Sequence, residues 1–240
     1  MTSPALDQVK TLAFDVFGTV VDWRGSVVRD GAELTRRTGV TTDWGAFADA
    51  WRGEYAPSMK PIREGARPWV GLDTLHYENL LATVKRLGVE GLGEQDLRWL
   101  NLAWHRLDPW PDSGEGLARL KRKFVVVTLS NGNIAMTVDL VRHGNLPFDT
   151  VLGAEVARQY KPHPQAYLTT VSLLQLEPAQ VMMVAAHNSD LRGASKAGLR
   201  TAYVIRPRQS GPGQKTDLAP EGDWDVVAND FVDLAAKLGA

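Results

Sequence analysis

Short apolar runs recur along the chain, and the first, TLAFDVFGTV at Thr11–Val20, reaches one carboxylate at Asp15 before breaking at Gly18 and Thr19. Similar runs at Phe124–Ser130, Thr150–Ala154, Val181–Ala186, Thr201–Ile205 and Asp225–Ala228 read as further strands. Between them, helical periodicity predicts helices near Gly114–Lys121, Ile134–His143, Pro164–Leu174, Asp190–Ala197 and Phe231–Leu238. Continuous apolar strands alternating with amphipathic helices predict an α/β protein with a doubly wound parallel sheet, covered on both faces.

The pattern changes between Ser26 and about Leu107, where helix follows helix with no convincing strand. In Asp43–Lys60, Trp44, Phe47, Ala48, Trp51 and Tyr55 fall on one helical face, with Thr42 or Asp43 as N-cap. Gly71–Gly88 and Glu94–Leu107 read similarly. Much of the tryptophan sits in this lobe, where the rings make a small core or an exposed face for a second copy of the chain. Asp108–Asp112, DPWPD, is a stiff connection that closes the lobe. Residues 1–20 and 110–240 are thus expected to form the sheet domain and residues 21–109 an insertion. Arg206–Glu221, rich in Gly and Pro, reads as a loop.

A chain of 240 residues is long enough to bury a full core, and its formal net charge of −1 leaves no electrostatic footprint for nucleic acid. No apolar stretch approaches membrane-spanning length and the N-terminus lacks a signal pattern, so a cytoplasmic protein without a membrane partner is expected. The absence of cysteine excludes disulfides, thiolate metal sites and thiol nucleophiles.

Four polar clusters follow the apolar runs, where open α/β sheets bind ligands. Asp15 with Thr19 is the first; taken alone, D-x-x-G-T also reads as a turn cap. Ser130 and Asn131, before Gly132, form the second, again an ordinary turn in isolation. Tyr160–Lys161–Pro162 precedes the helix carrying Tyr167, and Lys161 either holds an anion or lies on the surface. In AAHNSD, His187, Asn188, Ser189 and Asp190 enter a helix that Asp190 alone could be capping. His76, His105, His143 and His163 have no evident partner and read as ordinary surface or core residues.

In order and spacing these clusters resemble the haloacid dehalogenase superfamily, and within it the L-2-haloacid dehalogenases, over nearly the whole chain. The resemblance implies a Rossmann-like core with an inserted α-helical cap, and cleavage of short 2-haloacids through an aspartyl ester without cofactor or metal. It assigns Asp15 as nucleophile, Thr19, Ser130 and Lys161 as positioning groups, and Asp190 as the residue that orients or deprotonates water. Arg52 in the pair Trp51–Arg52, with Asn131, matches the halide-binding groups, while Val16, Phe17 and Tyr167 complete the substrate-binding set. Phosphatases of the superfamily carry a second Asp where this chain has Phe17. They also hold Mg²⁺ with carboxylates of the last cluster, where only Asp190 is available here.

The chain departs from the dehalogenase pattern in its last cluster. Ala185–Ala186–His187 stands in place of Ser-Ser-Asn, and Ser189 replaces an aromatic residue. The water-positioning role therefore falls to His187 or Asn188, and Ser189 is expected to favour a small, strongly accepting halide such as fluoride. The resemblance also implies a homodimer. The rival readings are a Mg²⁺-dependent phosphatase and a non-catalytic relative that binds a small carboxylate or a protein.

Overall fold

Strand β1 (Thr11–Phe14) is buried along its whole length in the computed structural model, which describes residues 6–240. The opening residues 1–5 of the expected core segment therefore lie outside the described residues. A small ribbon strand β2 (Val21–Asp22) follows, and a second, β3 (Asp108–Pro109), comes after the helical region. The remaining strands are β4 (Val125–Ser130), β5 (Thr150–Gly153), β6 (Val181–Ala185), β7 (Arg200–Val204) and β8 (Val226–Ala228). The main sheet has six strands in the order β5-β4-β1-β6-β7-β8, parallel throughout. Leu12 and Phe14 pack into one hydrophobic cluster and Ala13 into another, so both faces of β1 are covered and its sequence is continuously apolar. Strand order reverses beside β1, between β4 and β6, which opens a crevice beyond the carboxyl ends of those strands.

Five helices of eight or more residues pack around the sheet or complete its connections, α6 (Ser113–Leu120), α7 (Ile134–His143), α9 (Pro164–Leu173), α10 (Asn188–Lys196) and α11 (Phe231–Leu238), while α1 (Trp23–Thr38) opens the helical lobe. A single turn, α8 (Ala154–Ala157), follows β5 without having been expected. The lobe continues through α2 (Trp44–Gly53), α3 (Tyr55–Arg63), α4 (Leu72–Leu87) and α5 (Glu94–Asn101), and closes with a 3₁₀ turn at Leu102–His105. No helix among the described residues is long and apolar enough to cross a membrane.

Two expectations need correction here. The helix read over Asp43–Lys60 is two helices: the first ends at Gly53, and Glu54 closes it by donating its N–H to Trp51 O at 3.2 Å. DPWPD is more than a stiff connection, because Asp108 and Pro109 pair antiparallel with Asp22 and Val21 and tie the two crossings of the chain together. Of the two readings of the lobe's tryptophans, the core is the one observed. Trp23, Trp44, Trp51 and Trp104 are buried, Trp69 packs on Tyr160 at 4.6 Å, and Trp99 lies between Arg37 and Arg106. The rings form the lobe's core, with Trp51 and Trp104 centroids 5.4 Å apart and Trp51 Nε1 donating to His76 O at 2.9 Å. Edge-to-face pairs of this kind contribute about 0.5–1.5 kcal/mol each beyond burial.

Candidate active site

β1 carries Asp15 to the crevice, and the Asp15 N–H extends the ladder by donating to Val184 O at 3.0 Å. The chain then turns through Gly18, in the left-handed region at φ +85°, and brings Thr19 back over the carboxylate. Thr19 Oγ1 donates to Asp15 Oδ2 at 2.7 Å and accepts from the Ala186 N–H at 3.0 Å, linking the loops after β1 and β6.

Lys161 approaches from the loop before α9. Its backbone N–H donates to Asn131 Oδ1 at 2.9 Å, which fixes the loops after α8 and β4 together. Its ammonium donates to Asp15 Oδ1 at 2.9 Å and to Asp190 Oδ2 at 2.5 Å. Asp190 comes from the first turn of α10, and its other oxygen accepts from Tyr167 Oη at 2.6 Å. His187, the N-cap of α10, places Nδ1 3.1 Å from Asp15 Oδ2 and Nε2 2.8 Å from Gln209 Oε1. Sequence reasoning missed Gln209, since it lies in a loop whose Gly and Pro content conveys no periodicity.

Burial alone raises the Asp15 carboxyl, but the Lys161 charge, the hydrogen bond and charge of His187, and the Thr19 bond hold it well below the ordinary carboxylate range. Burial likewise opposes the charge on Lys161, yet Asp15 and Asp190 raise its ammonium above the ordinary lysine value. Asp190 is shifted upward by burial and by the Asp15 charge against the pull of Lys161. The asymmetry follows from the partners, since Asp15 faces an ammonium, an imidazole and a hydroxyl while Asp190 faces an ammonium and a phenol. His187 is raised, with burial opposed by the hydrogen bond and charge of Asp15. The resting nucleophile is therefore ionised.

These groups floor a cleft of about 300 Å³. Phe17, Asn131 and Ser189 line its core side, and Arg52, Tyr55, Ala56, Met59 and Arg63 line it from α2 and α3. The break after Gly53 puts Tyr55 beneath Arg52, whose guanidinium carbon lies 3.8 Å from the Tyr55 ring centroid and 5.4 Å from that of Trp23. Arg52 Nη1 is buried without a hydrogen-bond partner among the described residues. A cation caged by rings with an unused N–H can receive an anion at little reorganisation cost.

Asp15, Phe17, Arg52, Asn131, Lys161, His187, Ser189 and Asp190 thus meet in one cleft. Thr19 and Tyr167 stand immediately behind it, holding Asp15 and Asp190. Ser130 is fully buried below Asn131, where its Oγ accepts from the Gly132 N–H at 3.0 Å and shapes that turn. The Val16 side chain packs into the core. Asn188 is a correction: it is fully buried, its amide donates to Asp217 and Ala219 and accepts from Glu221 and Trp224, and it holds the loop before β8, while His187 lines the cleft. Three of the four histidines without an evident partner in the sequence find one in the fold. His105 bridges Asp73 and Asp139, His143 meets Asp108, and His163 accepts from the Gln165 N–H; His76 alone of the four is buried with both ring nitrogens unpartnered.

The donor set does not fit a hard divalent cation. Lys161 already stands between Asp15 and Asp190, and each of the four carboxylate oxygens accepts a hydrogen bond or faces a ring nitrogen.

Over residues 9–198 the chain matches the haloacid dehalogenase-like hydrolase family. It is 30% identical over 211 residues to an (S)-2-haloacid dehalogenase of Xanthobacter autotrophicus, spanning 84% of this chain and 77% of that relative. Its fold matches the crystal structure of a defluorinating L-2-haloacid dehalogenase at TM-score 0.96 and 44% identity, covering 100% of this chain and 99% of the other. The L-2-haloacid dehalogenase of Xanthobacter autotrophicus with chloropropionic acid covalently bound matches at TM-score 0.81 and 26% identity, covering 97% and 99%.

Proposed function

The chain belongs to the haloacid dehalogenase-like hydrolases, and from that premise we propose that it converts short L-2-haloacids, haloacetates among them, into 2-hydroxy acids through an ester on Asp15. The observation that carries this reading is an ionised, buried Asp15 in the same small cleft as the unused N–H of Arg52. A carboxylate is a weak nucleophile in water and gains from being fixed and partly dehydrated. Lys161 keeps Asp15 charged under those conditions, and Thr19 sets the orientation of the carboxylate.

Asp15 attacks the halogen-bearing carbon, the carbon–halogen bond breaks with inversion, and the halide leaves toward Arg52 and Asn131. The halide departs with its electron pair and needs no proton, which suits Phe17 where an acid would otherwise stand. Water then hydrolyses the ester at its carbonyl carbon beside His187, while Asp190 holds Lys161 and is itself held by Tyr167. Ser130 shapes the turn that presents Asn131. Residues 21–109 act as the cap over a core formed by residues 1–20 and 110–240. The reaction uses no cofactor, nucleic acid or membrane, and takes place in the cytoplasm.

Fluoroacetate is included among the substrates. Ser189 lines the cleft where an aromatic residue would reduce polarity, and His187 adds a donor. A relative at 44% identity is named as defluorinating.

Halide release from L- and D-2-chloropropionate, chloroacetate and fluoroacetate, with EDTA present, tests the reading. Wild type should release halide from the L-enantiomer and both haloacetates, and Asp15→Asn from none. Equal release by both proteins, or Mg²⁺-dependent phosphate release from a phosphomonoester without any dehalogenation, would overturn it.

A further inference from the structure

The loop between β7 and β8 reaches back to the nucleophile through one side chain. Gln209 is only 3% exposed, and its Oε1 lies 2.8 Å from His187 Nε2, on the ring edge opposite the Nδ1 that faces Asp15. The nucleophile loop makes room for it: a Cβ at Gly18 would stand 2.0 Å from Gln209 Oε1. The loop is also anchored to the site. Arg206 Nε donates to Thr19 O at 3.0 Å, its two terminal nitrogens grip Asp112 at 2.7 Å each, and Gln214 Nε2 donates to Arg206 O at 3.1 Å.

Resting on the reading above, we propose that Gln209 is a positioning residue that makes His187 the base of ester hydrolysis: its carbonyl oxygen retains the Nε2 hydrogen, so that Nδ1 faces the attacking water. An amide carbonyl only accepts, so it fixes one ring hydrogen and leaves the other nitrogen to respond to Asp15. Asp190 is poorly placed for the task, because Tyr167 and Lys161 already occupy its two oxygens.

The state of Nδ1 follows the charge on Asp15. In the resting site, burial and Arg52 disfavour an imidazolium, while the Asp15 hydrogen bond and charge, with Asp217 behind, favour it. Lys161 and Asp190 complete the nearby charges. Attack on the haloacid forms the ester and expels halide, and the carboxylate charge that held the Nδ1 proton is gone. That proton passes to water in the cleft. The freed Nδ1 then takes a proton from the hydrolytic water as its oxygen bonds to the Asp15 carbonyl carbon. The acyl–oxygen bond breaks, and the departing alkoxide receives the Nδ1 proton. The remaining proton of the water moves from the new Asp15 carboxyl to His187, restoring the resting pair. The sum is haloacid plus water giving hydroxy acid, halide and one proton.

Rapid-quench turnover of chloroacetate, following halide, product and alkylated enzyme mass between pH 6 and 9, separates the two half-reactions. Gln209→Leu should release its first equivalent of halide at the wild-type rate, then accumulate the ester, with hydrolysis at least tenfold slower. Gln209→Glu places a carboxylate on the Nε2 hydrogen, holds the imidazolium longer, and should move the midpoint of ester hydrolysis to higher pH. Wild-type hydrolysis rates and an unmoved pH profile in both variants would overturn the proposal. So would parallel loss of the first halide equivalent and of hydrolysis, which marks a general structural role. Wild type that releases no halide overturns the dehalogenase reading itself, an outcome seen before any variant is compared.

Discussion

Lys161 Nζ donates to Asp15 Oδ1 over 2.9 Å in a site where both residues are buried. Neither charge is tolerable there without the other, and Asp190 gives the lysine a second partner.

Replacing Lys161 by Met leaves two buried carboxylates with no ammonium between them. Breaking a buried pair by deleting one partner typically costs about 3–5 kcal/mol, and denaturant unfolding should report a loss in that range. In wild type the depressed Asp15 group contributes stability that is present above the unfolded carboxylate value of about 3.9 and lost as pH falls through its lower folded value. In Lys161→Met burial raises Asp15, so the acid limb of kcat/KM should move to higher pH.

Arg52→Leu should lower halide release about 10²–10³-fold, the usual effect of removing one donor from developing negative charge. The loss should be greater for fluoroacetate than for bromoacetate, because fluoride is the stronger acceptor and the poorer leaving group. Equal losses for both, measured by halide-selective electrodes, would remove Arg52 from the leaving-group side.

His187 makes a pH signature of opposite sign. Its folded value is raised, with burial outweighed by Asp15, so its contribution is fully present below the unfolded value of about 6.5 and fades as pH rises through the folded one. Asp15→Asn removes the partner. The difference in Tm between wild type and Asp15→Asn should therefore be larger at pH 6 than at pH 9, and a constant difference would contradict the pairing.

Arg206→Ala tests the anchoring of the loop before β8. The guanidinium grips Asp112 through two bonds, and Asp112 also accepts from the Phe231 N–H at 2.8 Å. About 1–3 kcal/mol should be lost on unfolding, because Asp112 keeps the Phe231 N–H but loses both guanidinium bonds.

The central strands were legible from sequence because β1 and β6 are buried on both faces, so Thr11–Phe14 and Val181–Ala185 appear as nearly continuous apolar runs. Asp15, Lys161 and Asp190 were legible as candidates because they follow such runs in order. Their meeting around one ammonium depends on strand order, which no local pattern contains. The break after Gly53 was hidden because Tyr55 continues the apolar periodicity of α2 across the boundary. His105 and its partners Asp73 and Asp139 lie in separate elements and share no spacing rule. Gln209 was the least visible: a polar residue among Gly and Pro shows its importance only through the ring it touches.

In the proposed mechanism water attacks the Asp15 ester and never the haloacid directly. Single turnover of chloroacetate with excess wild-type enzyme in H₂¹⁸O, followed by peptide mass spectrometry, tests it most directly. Passage through the ester should leave ¹⁸O in the Asp15 carboxylate and an unlabelled hydroxyl in the first glycolate formed. Label in that glycolate, with Asp15 left unlabelled, would contradict it.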